Sequence, residues 1–466
     1  MNSISAINQT SNTQSRWQYF RDLASVVCSR ESTYRGALDV TGLDLPVIFS
    51  DLFRSYKKTL ESIFEGITGT TMVVVAPILT TFVGKFLARS ILPKEMQRDA
   101  IHYLKFSMSD LKDFEKFKVA TDRIKSEEVE DKNFIAALHT KTGRTETAEK
   151  YKEEAKEIED FCNSFTPTEE KQKLIYKLKK ATIIGESFIE GCYWGSFGLI
   201  IRLFRKHILR EERFTGTMNY ASSEESATLG EAEELSSFQK LAGIGSIFIS
   251  PIVNAVLLTK TEDKEAVKNS KFLQVVDNQF DMTHGVYPKL GLLFSMTSFP
   301  KWIGTIIMSQ GWFERVERIL KLLTVIPSWW LGHRATNGLF ALSADKKFAK
   351  KYETAPGTLI EPAYLNKTNE NTSILNRLDK TFPEPARIHH ILKSLSEKEE
   401  AELNQAKDEN IAKEIKTKYT EIRNEAEDLH AKCLYKGFGM HSFLVWGINM
   451  VVNQITKLRV LSALGK

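Results

Sequence analysis

Residues 241–259 read LAGIGSIFISPIVNAVLLT, a stretch with no charged side chain between Lys240 and Lys260. At about 19 residues, it is close to the length that an α-helix needs to cross the hydrocarbon core of a bilayer. Pro251 stands near its middle, where a proline bends or interrupts a helix. The stretch therefore predicts a bent apolar helix that either enters a membrane or lies deep in a protein core.

Two other stretches have similar length and also lack charge. Gly66–Gly84 reads GITGTTMVVVAPILTTFVG, with Pro77 near its middle, and Gly437–Thr456 reads GFGMHSFLVWGINMVVNQIT. Lys and Arg residues flank both of these stretches on both sides, whereas a simple crossing helix has its excess of Lys and Arg on the cytoplasmic side. This pattern favours segments that enter and return on one face, or lie in the interface, at least as much as segments that cross.

Tryptophan placement agrees with either environment, because Trp is favoured both at membrane interfaces and in protein cores. The candidate membrane-segment residues are Pro77, Pro251, Trp194, Trp302, Trp329, Trp330 and Trp446.

Composition limits how much of the chain a bilayer can hold. Of the 466 residues, 42% are apolar and 26% are charged, values that are ordinary for a folded protein. The net charge of +5 comes from 64 basic and 59 acidic residues, too small an excess to indicate a nucleic-acid partner. Most of the chain is therefore expected to be solvated helix and loop.

Changes of composition divide the chain into seven parts. In order they are a polar disordered tail (1–16), an amphipathic helix with the first apolar segment (17–93), a solvated helical subdomain (94–180), an apolar helical region (181–344) interrupted by an acidic, mobile linker (215–237), a second linker (345–384), an amphipathic helix or helix pair (385–436) and the last apolar segment (437–466). Pro300 and Pro327 are expected to break the apolar region into short helices. The apolar stripe of 385–436 predicts a helical partner from this chain or another, as in a coiled coil.

Glu186 and Glu190 lie four residues apart in an apolar segment, so they share one face of a helix. They either mark the wet side of an amphipathic helix or, inside a membrane, form part of a polar path for an ion or proton. No spacing of His, Cys, Asp and Glu predicts a metal site, and we identify no catalytic residue and no cofactor. The four cysteines are far apart, which favours free thiols in a reducing compartment.

These observations predict a mainly α, membrane-associated protein with bent or hairpin-like apolar segments. The first hypothesis is a structural, anchoring or scaffolding role at a membrane, with lipids and a helical protein or a second copy as partners and the solvated parts in the cytoplasm. A transporter or pore that uses Glu186 and Glu190 is one alternative, and a soluble all-α protein with unusually apolar core helices, including an enzyme on an apolar substrate, is the other.

Overall fold

The computed structural model describes residues 17–25, 36–141, 145–230, 236–270, 272–274, 299–352, 357–360, 385–406 and 408–466. This part of the chain contains seventeen α-helices and no β-sheet, with one isolated bridge between Ile360 and Pro385. The mainly α prediction is confirmed. The helices are α1 (Leu45–Asp51), α2 (Tyr56–Ile91), α3 (Ala100–Tyr103), α4 (Met108–Lys112), α5 (Phe114–Ile124), α6 (Glu130–Lys141), α7 (Thr145–Ser164), α8 (Glu169–Gly195), α9 (Phe197–His207), α10 (Ser223–Thr228), α11 (Ser237–Gly245), α12 (Ile249–Lys260), α13 (Lys264–Asn269), α14 (Phe299–Ile307), α15 (Trp312–Tyr352), α16 (Ile388–Leu403) and α17 (Glu409–Ala463).

The ends of α2 follow from local side-chain chemistry. The Ser55 side chain accepts a hydrogen bond from the Lys58 backbone N–H at 3.0 Å, which satisfies one of the unpaired donors of the first turn. At the other end Leu92 adopts an extended conformation, as a residue that precedes a proline favours, and Pro93 follows. Between these signals the chain forms 36 residues of continuous helix.

The apolar segments run as continuous helix and not as hairpins. Gly66–Gly84 lies wholly inside α2, so the chain does not turn back at Pro77. The stretch Ser237–Lys260 is helical throughout, with a single 3-10 turn between α11 and α12. Pro251 stands in the first turn of α12, where a helix tolerates the missing N–H. The structure thus departs from the hairpin expectation.

Helices α15 and α17 form a long antiparallel pair. Phe313, at the start of α15, packs in one apolar cluster with Val460, near the end of α17. At the opposite end of the pair, Tyr352 donates a hydrogen bond to Glu425. Pro327 lies inside α15 without ending it, so the predicted break there is absent. At 1.5 Å per residue, α17 is about 82 Å long.

The amphipathic part of α17 is covered by this chain itself. Helix α16 and the end of α15 pack against it, and Phe348, Leu395 and Ile422 lie buried together. The helix then continues through Gly437–Thr456 without interruption, so the predicted boundary at residue 437 is a change of surface and not of backbone.

The segment 94–180 is helical, and its buried residues belong to an apolar cluster that also includes Ala88 of α2 and the following Leu92. Phe106, Phe117 and Phe161 are buried there, with Phe165 packed against them. The chain breaks between α7 and α8 near Pro167, as expected. Helix α8 then continues from the subdomain into the apolar region.

Within the predicted acidic linker 215–237, residues 215–230 and 236–237 are described. Thr215 and Thr217 are fully buried, and α10 begins with a capping box between Ser222 and Glu225. Most of the linker 345–384 lies outside the described residues, as does the predicted tail 1–16.

Candidate functional site: an apolar belt and a buried ion-pair cluster

Large apolar side chains are exposed on the outer faces of four helical segments. We call this set the apolar belt; it comprises Ile67, Ile78, Phe82 and Phe86 on α2, Phe238, Leu241, Ile244, Phe248, Ile252 and Val256 on α11 and α12, Leu323, Leu331 and Leu339 on α15, and Met440, Phe443, Leu444, Val451, Ile455 and Leu458 on α17. Soluble monomers rarely expose apolar patches larger than a few hundred Å², and larger ones mark sites for a protein or membrane partner.

Large apolar side chains are also exposed outside the belt, for example Phe49 on α1 and Leu203 on α9, but they are scarce in the two helical subdomains. In the described part of the subdomain 94–180, Val119 is the one exposed large apolar side chain, and in that of 385–436 it is Ile411. These two helical parts therefore have the surface of an ordinary soluble protein, while the helices that carry the belt do not.

One helical stretch in the described part of the chain, Ser237–Lys260, is long and apolar enough to cross a membrane by length and composition. Only 29% of its most apolar part is buried inside the protein. A core helix of a soluble protein would be mostly buried. This stretch instead leaves most of its apolar surface uncovered by the rest of the protein, which is unfavourable in water.

The inner face of this stretch packs closely on α8 because small residues line the contact. A Cβ added at Gly195 would lie 3.0 Å from the Ile247 backbone nitrogen, and one at Gly191 would overlap the Ile247 carbonyl oxygen. Asn254 donates a hydrogen bond to Ser187 at 2.5 Å in the same interface. Close backbone approach and short polar links of this kind are typical of helix packing in lipid.

The predicted tryptophans do not form an exposed ring. Trp194 and Trp329 are 3% exposed and belong to apolar cores, while Trp302 and Trp446 are half-buried. The side chains of Trp330 and Pro77 lie outside the described residues, and Pro251 is buried. Among the tryptophans whose side chains the structure describes, Trp312, at the start of α15, is exposed.

The structure buries both carboxylates of the predicted polar path. Glu186 is 5% exposed and accepts a hydrogen bond from the Thr80 hydroxyl across the contact of α8 with α2, and Glu190 is 2% exposed. They do not face water, so they do not mark a wet side of α8. Lys180 instead pairs with Glu262 at 2.6 Å.

Sequence reasoning did not identify the most polar feature of the fold, which we call the ion-pair cluster. It contains the cations Arg54, Lys58, Arg205, Arg318 and Lys321 and the anions Asp51, Glu61, Glu65, Glu314 and Glu317. Five positive and five negative charges balance.

Arg205 is the centre of one half of the cluster. Its guanidinium donates to both oxygens of Glu61, at 2.7 and 3.0 Å, and to Glu314 at 2.8 Å. Burial alone would raise the pKa of Glu61, but Arg205 and Lys58 outweigh it and hold that pKa well below its usual value. In the same way Arg205 and Arg318 overcome burial and lower the pKa of Glu314 to about 2.

Arg54 is the centre of the other half. It binds both oxygens of Glu317, at 2.7 and 2.8 Å, and also donates to the Gly216 carbonyl at 2.6 Å and to Asn453 at 3.0 Å. The cluster therefore joins α2, α9, α15 and α17 with the segment at residues 215–217.

The chemistry of this cluster fits a structural role, in which paired charges hold helices together. Each charge has an opposite partner, so no carboxylate is left as a general base. The adjoining cavity, lined by Lys58, Glu65, Lys301 and Lys321 among others, has a volume of about 50 Å³. That is room for a few waters and far less than the several hundred Å³ of a typical ligand pocket.

A sequence signal for this cluster does exist. Glu314, Glu317, Arg318 and Lys321 follow one another at spacings of three, one and three residues, which places them on one side of α15 within an otherwise apolar region. Charges on one helical face inside an apolar segment predict buried partners. What the sequence does not reveal is that the partners are Arg54 and Arg205.

The described residues contain no group of three or more His, Cys, Asp and Glu side chains placed to hold a metal ion. Comparison with known proteins gives no further guide, because the chain matches no family model, no curated protein and no solved structure.

Proposed function

We propose that this protein is a membrane-embedded helical scaffold. The apolar belt would contact lipid chains, and the two helical subdomains, 94–180 and 385–436, would stand outside the bilayer on the cytoplasmic side. The observation that carries the proposal is the contrast between the exposed belt and these subdomains, each of which exposes one large apolar side chain among its described residues. In water the belt would cost about 25 cal/mol for each Å² left exposed, a cost that lipid removes.

The dimensions of the belt support a bilayer as its partner. From Ile67 to Phe86 on α2 the belt extends about 29 Å, and from Met440 to Leu458 on α17 about 27 Å, at 1.5 Å per residue. Both lengths are close to the roughly 30 Å of a hydrocarbon core. Lys85 and Arg89 are exposed at the C-terminal end of the part of the belt on α2, where they could reach lipid head groups.

The two alternatives from the sequence have less support. A transporter needs Glu186 and Glu190 to be reached from water, and both are buried. A soluble protein would use Ser237–Lys260 as a core helix, and most of that stretch is uncovered. Scaffolding is therefore the function that the surface supports best.

Quenching of a fluorophore attached to single cysteines tests the lipid contact. Phe82→Cys, Ile252→Cys and Phe443→Cys place a label in the belt, in a chain without its four native cysteines; Val119→Cys is the matched control, since all four side chains are 60–66% exposed. In vesicles, nitroxides on lipid chains should quench the three belt labels, while aqueous iodide should quench the label at position 119. Equal quenching of all four labels by iodide would overturn the proposal.

A further inference from the structure

We infer that five segments cross the bilayer side by side as one bundle: α2, α8, Ser237–Lys260, α15 and α17. The ion-pair cluster would lie at one membrane surface and both helical subdomains at the other. This inference rests on the proposed function and adds a topology to it. It also decides between crossing and returning on one face, which the flanking charges had left open.

Contacts along α8 fix the directions of its two neighbours. The Tyr193 hydroxyl donates to the Thr68 carbonyl at 2.8 Å, whereas Gly84, farther along α2, faces Thr182, nearer the start of α8. Later positions on α2 thus meet earlier positions on α8, and the two helices are antiparallel.

The stretch Ser237–Lys260 is antiparallel to α8 by the same test. Ile247 lies against Gly195, Asn254 bonds to Ser187, and the Thr259 hydroxyl lies 3.3 Å from the Lys180 amine. Helix α2 and this stretch therefore run in one direction and α8 runs in the other.

Helix α1 links this group to the α15–α17 pair. Asp51, at its end, accepts hydrogen bonds from Ser62 of α2 at 2.6 Å and from Asn453 of α17 at 3.1 Å. Nearer its start, the adjoining Asp44 accepts from Thr70 of α2 at 2.9 Å, and Gly42 lies against His441 of α17. From its start to its end, α2 therefore runs away from the cluster, whereas α17 runs toward it. The apolar segments of the two helices lie side by side in the same layer.

Four of the segments have one end at the cluster itself, and Ser237–Lys260 begins beside it, because the Gln239 amide donates to the Ile307 carbonyl, three residues before the Gln310 that accepts from Arg205. Arg54 and Glu61 stand at the start of α2, Arg205 follows the end of α8, Glu314 stands at the start of α15, and Asn453 lies near the end of α17.

The opposite ends of these segments lead to the two helical subdomains, which touch each other. Arg387, just before α16, pairs with Asp131 at 3.1 Å, and Lys393 pairs with Glu130 at 2.6 Å. The two parts that have soluble surfaces are thus on one side of the apolar layer, and the cluster is on the other. A bilayer that covers the belt has to separate them.

Labelling in sealed vesicles of known orientation tests this topology. Single cysteines replace Glu212 on the cluster side and Glu149 and Glu414 on the subdomain side, all exposed, in a chain without native cysteines. A membrane-impermeant maleimide should label E212C from one face and both E149C and E414C from the other, with at least a tenfold preference in each case. Labelling after detergent is the control that each thiol reacts.

Two outcomes separate this inference from the proposed function. If the chain resists alkaline carbonate but all three thiols react from one face, the crossing topology is wrong and the membrane scaffold stands. If carbonate releases the chain, both fail. Labelling of E149C and E414C from different faces would also overturn the inference, because it would separate the two subdomains.

Discussion

Arg205 and Glu61 form a two-point ion pair across 144 residues of sequence, with Nε and Nη2 of the guanidinium 2.7 and 3.0 Å from the two carboxylate oxygens. Both side chains are at most 2% exposed. The pair fixes α9 against the start of α2, and Glu314 extends the same contact to α15. The charge-balanced cluster thus joins these helices at one end of their apolar segments.

Replacing Arg205 with methionine should destabilise the fold strongly. Glu61 and Glu314 would then be buried without their main cation, a change that typically costs about 3–5 kcal/mol. The free energy of unfolding in detergent measures the loss. Lys118→Met is the control, since Lys118 pairs with Glu115 on an exposed surface, where a pair is worth at most about 1 kcal/mol. Similar losses in the two variants would contradict the role given to the cluster.

Stability should fall in acid because of the same carboxylates. The pKa of Glu314 is about 2 in the folded protein, below its ordinary value of 4.5. Its stabilising contribution is therefore complete above about pH 4.5 and is lost as the pH falls toward 2; the shift corresponds to about 3 kcal/mol. Thermal melting against pH should show this decline, and Glu314→Gln should make it shallower. A decline of equal steepness in the variant would count against this assignment.

Two glycines of α17 should respond in opposite ways to alanine. A Cβ at Gly437 would overlap the Asn337 side chain and lie 3.2 Å from its Cα, so Gly437→Ala must push α15 and α17 apart, at a cost of about 1–3 kcal/mol. Gly439 has no atom within 4 Å of an added Cβ, and Gly439→Ala should stabilise the helix by up to about 1 kcal/mol. Unfolding measurements that give both variants the same sign would refute the close contact.

The buried Glu186 should depend on the hydroxyl of Thr80. Thr80→Val keeps the side-chain shape but removes the donor, which should cost about 1–3 kcal/mol of unfolding free energy. Thr71→Val is the control on the same helix, because the exposed Thr71 hydroxyl bonds only its own helix, to the Ile67 carbonyl. An equal and small effect of the two changes would show that the carboxyl does not need this partner.

Local patterns in the sequence were enough to predict the mainly α fold class. The spacing of apolar residues and the proline signals predict helices in 94–180 with a break near Pro167, which lies between α7 and α8, and an amphipathic helix in the first half of α17. They failed at Pro77 and Pro327, because packing from neighbouring helices can hold a helix through a residue that disfavours it.

The ion-pair cluster and the topology could not be predicted from the sequence, for a different reason. Arg54 and Glu317 are 263 residues apart, and nothing local to either indicates the other. Lys and Arg at both ends of an apolar segment are compatible with a segment that crosses the membrane and with one that returns on the same face. Only the contacts between segments show which of their ends lie together.

Alkaline carbonate extraction of the unmodified chain tests the central claim most directly. Carbonate strips peripheral proteins and leaves membrane-embedded ones in place. If the apolar belt is embedded in lipid, the chain should stay with the membrane pellet after carbonate and be released by detergent. Recovery in the carbonate supernatant, or solubility without detergent, would contradict the account.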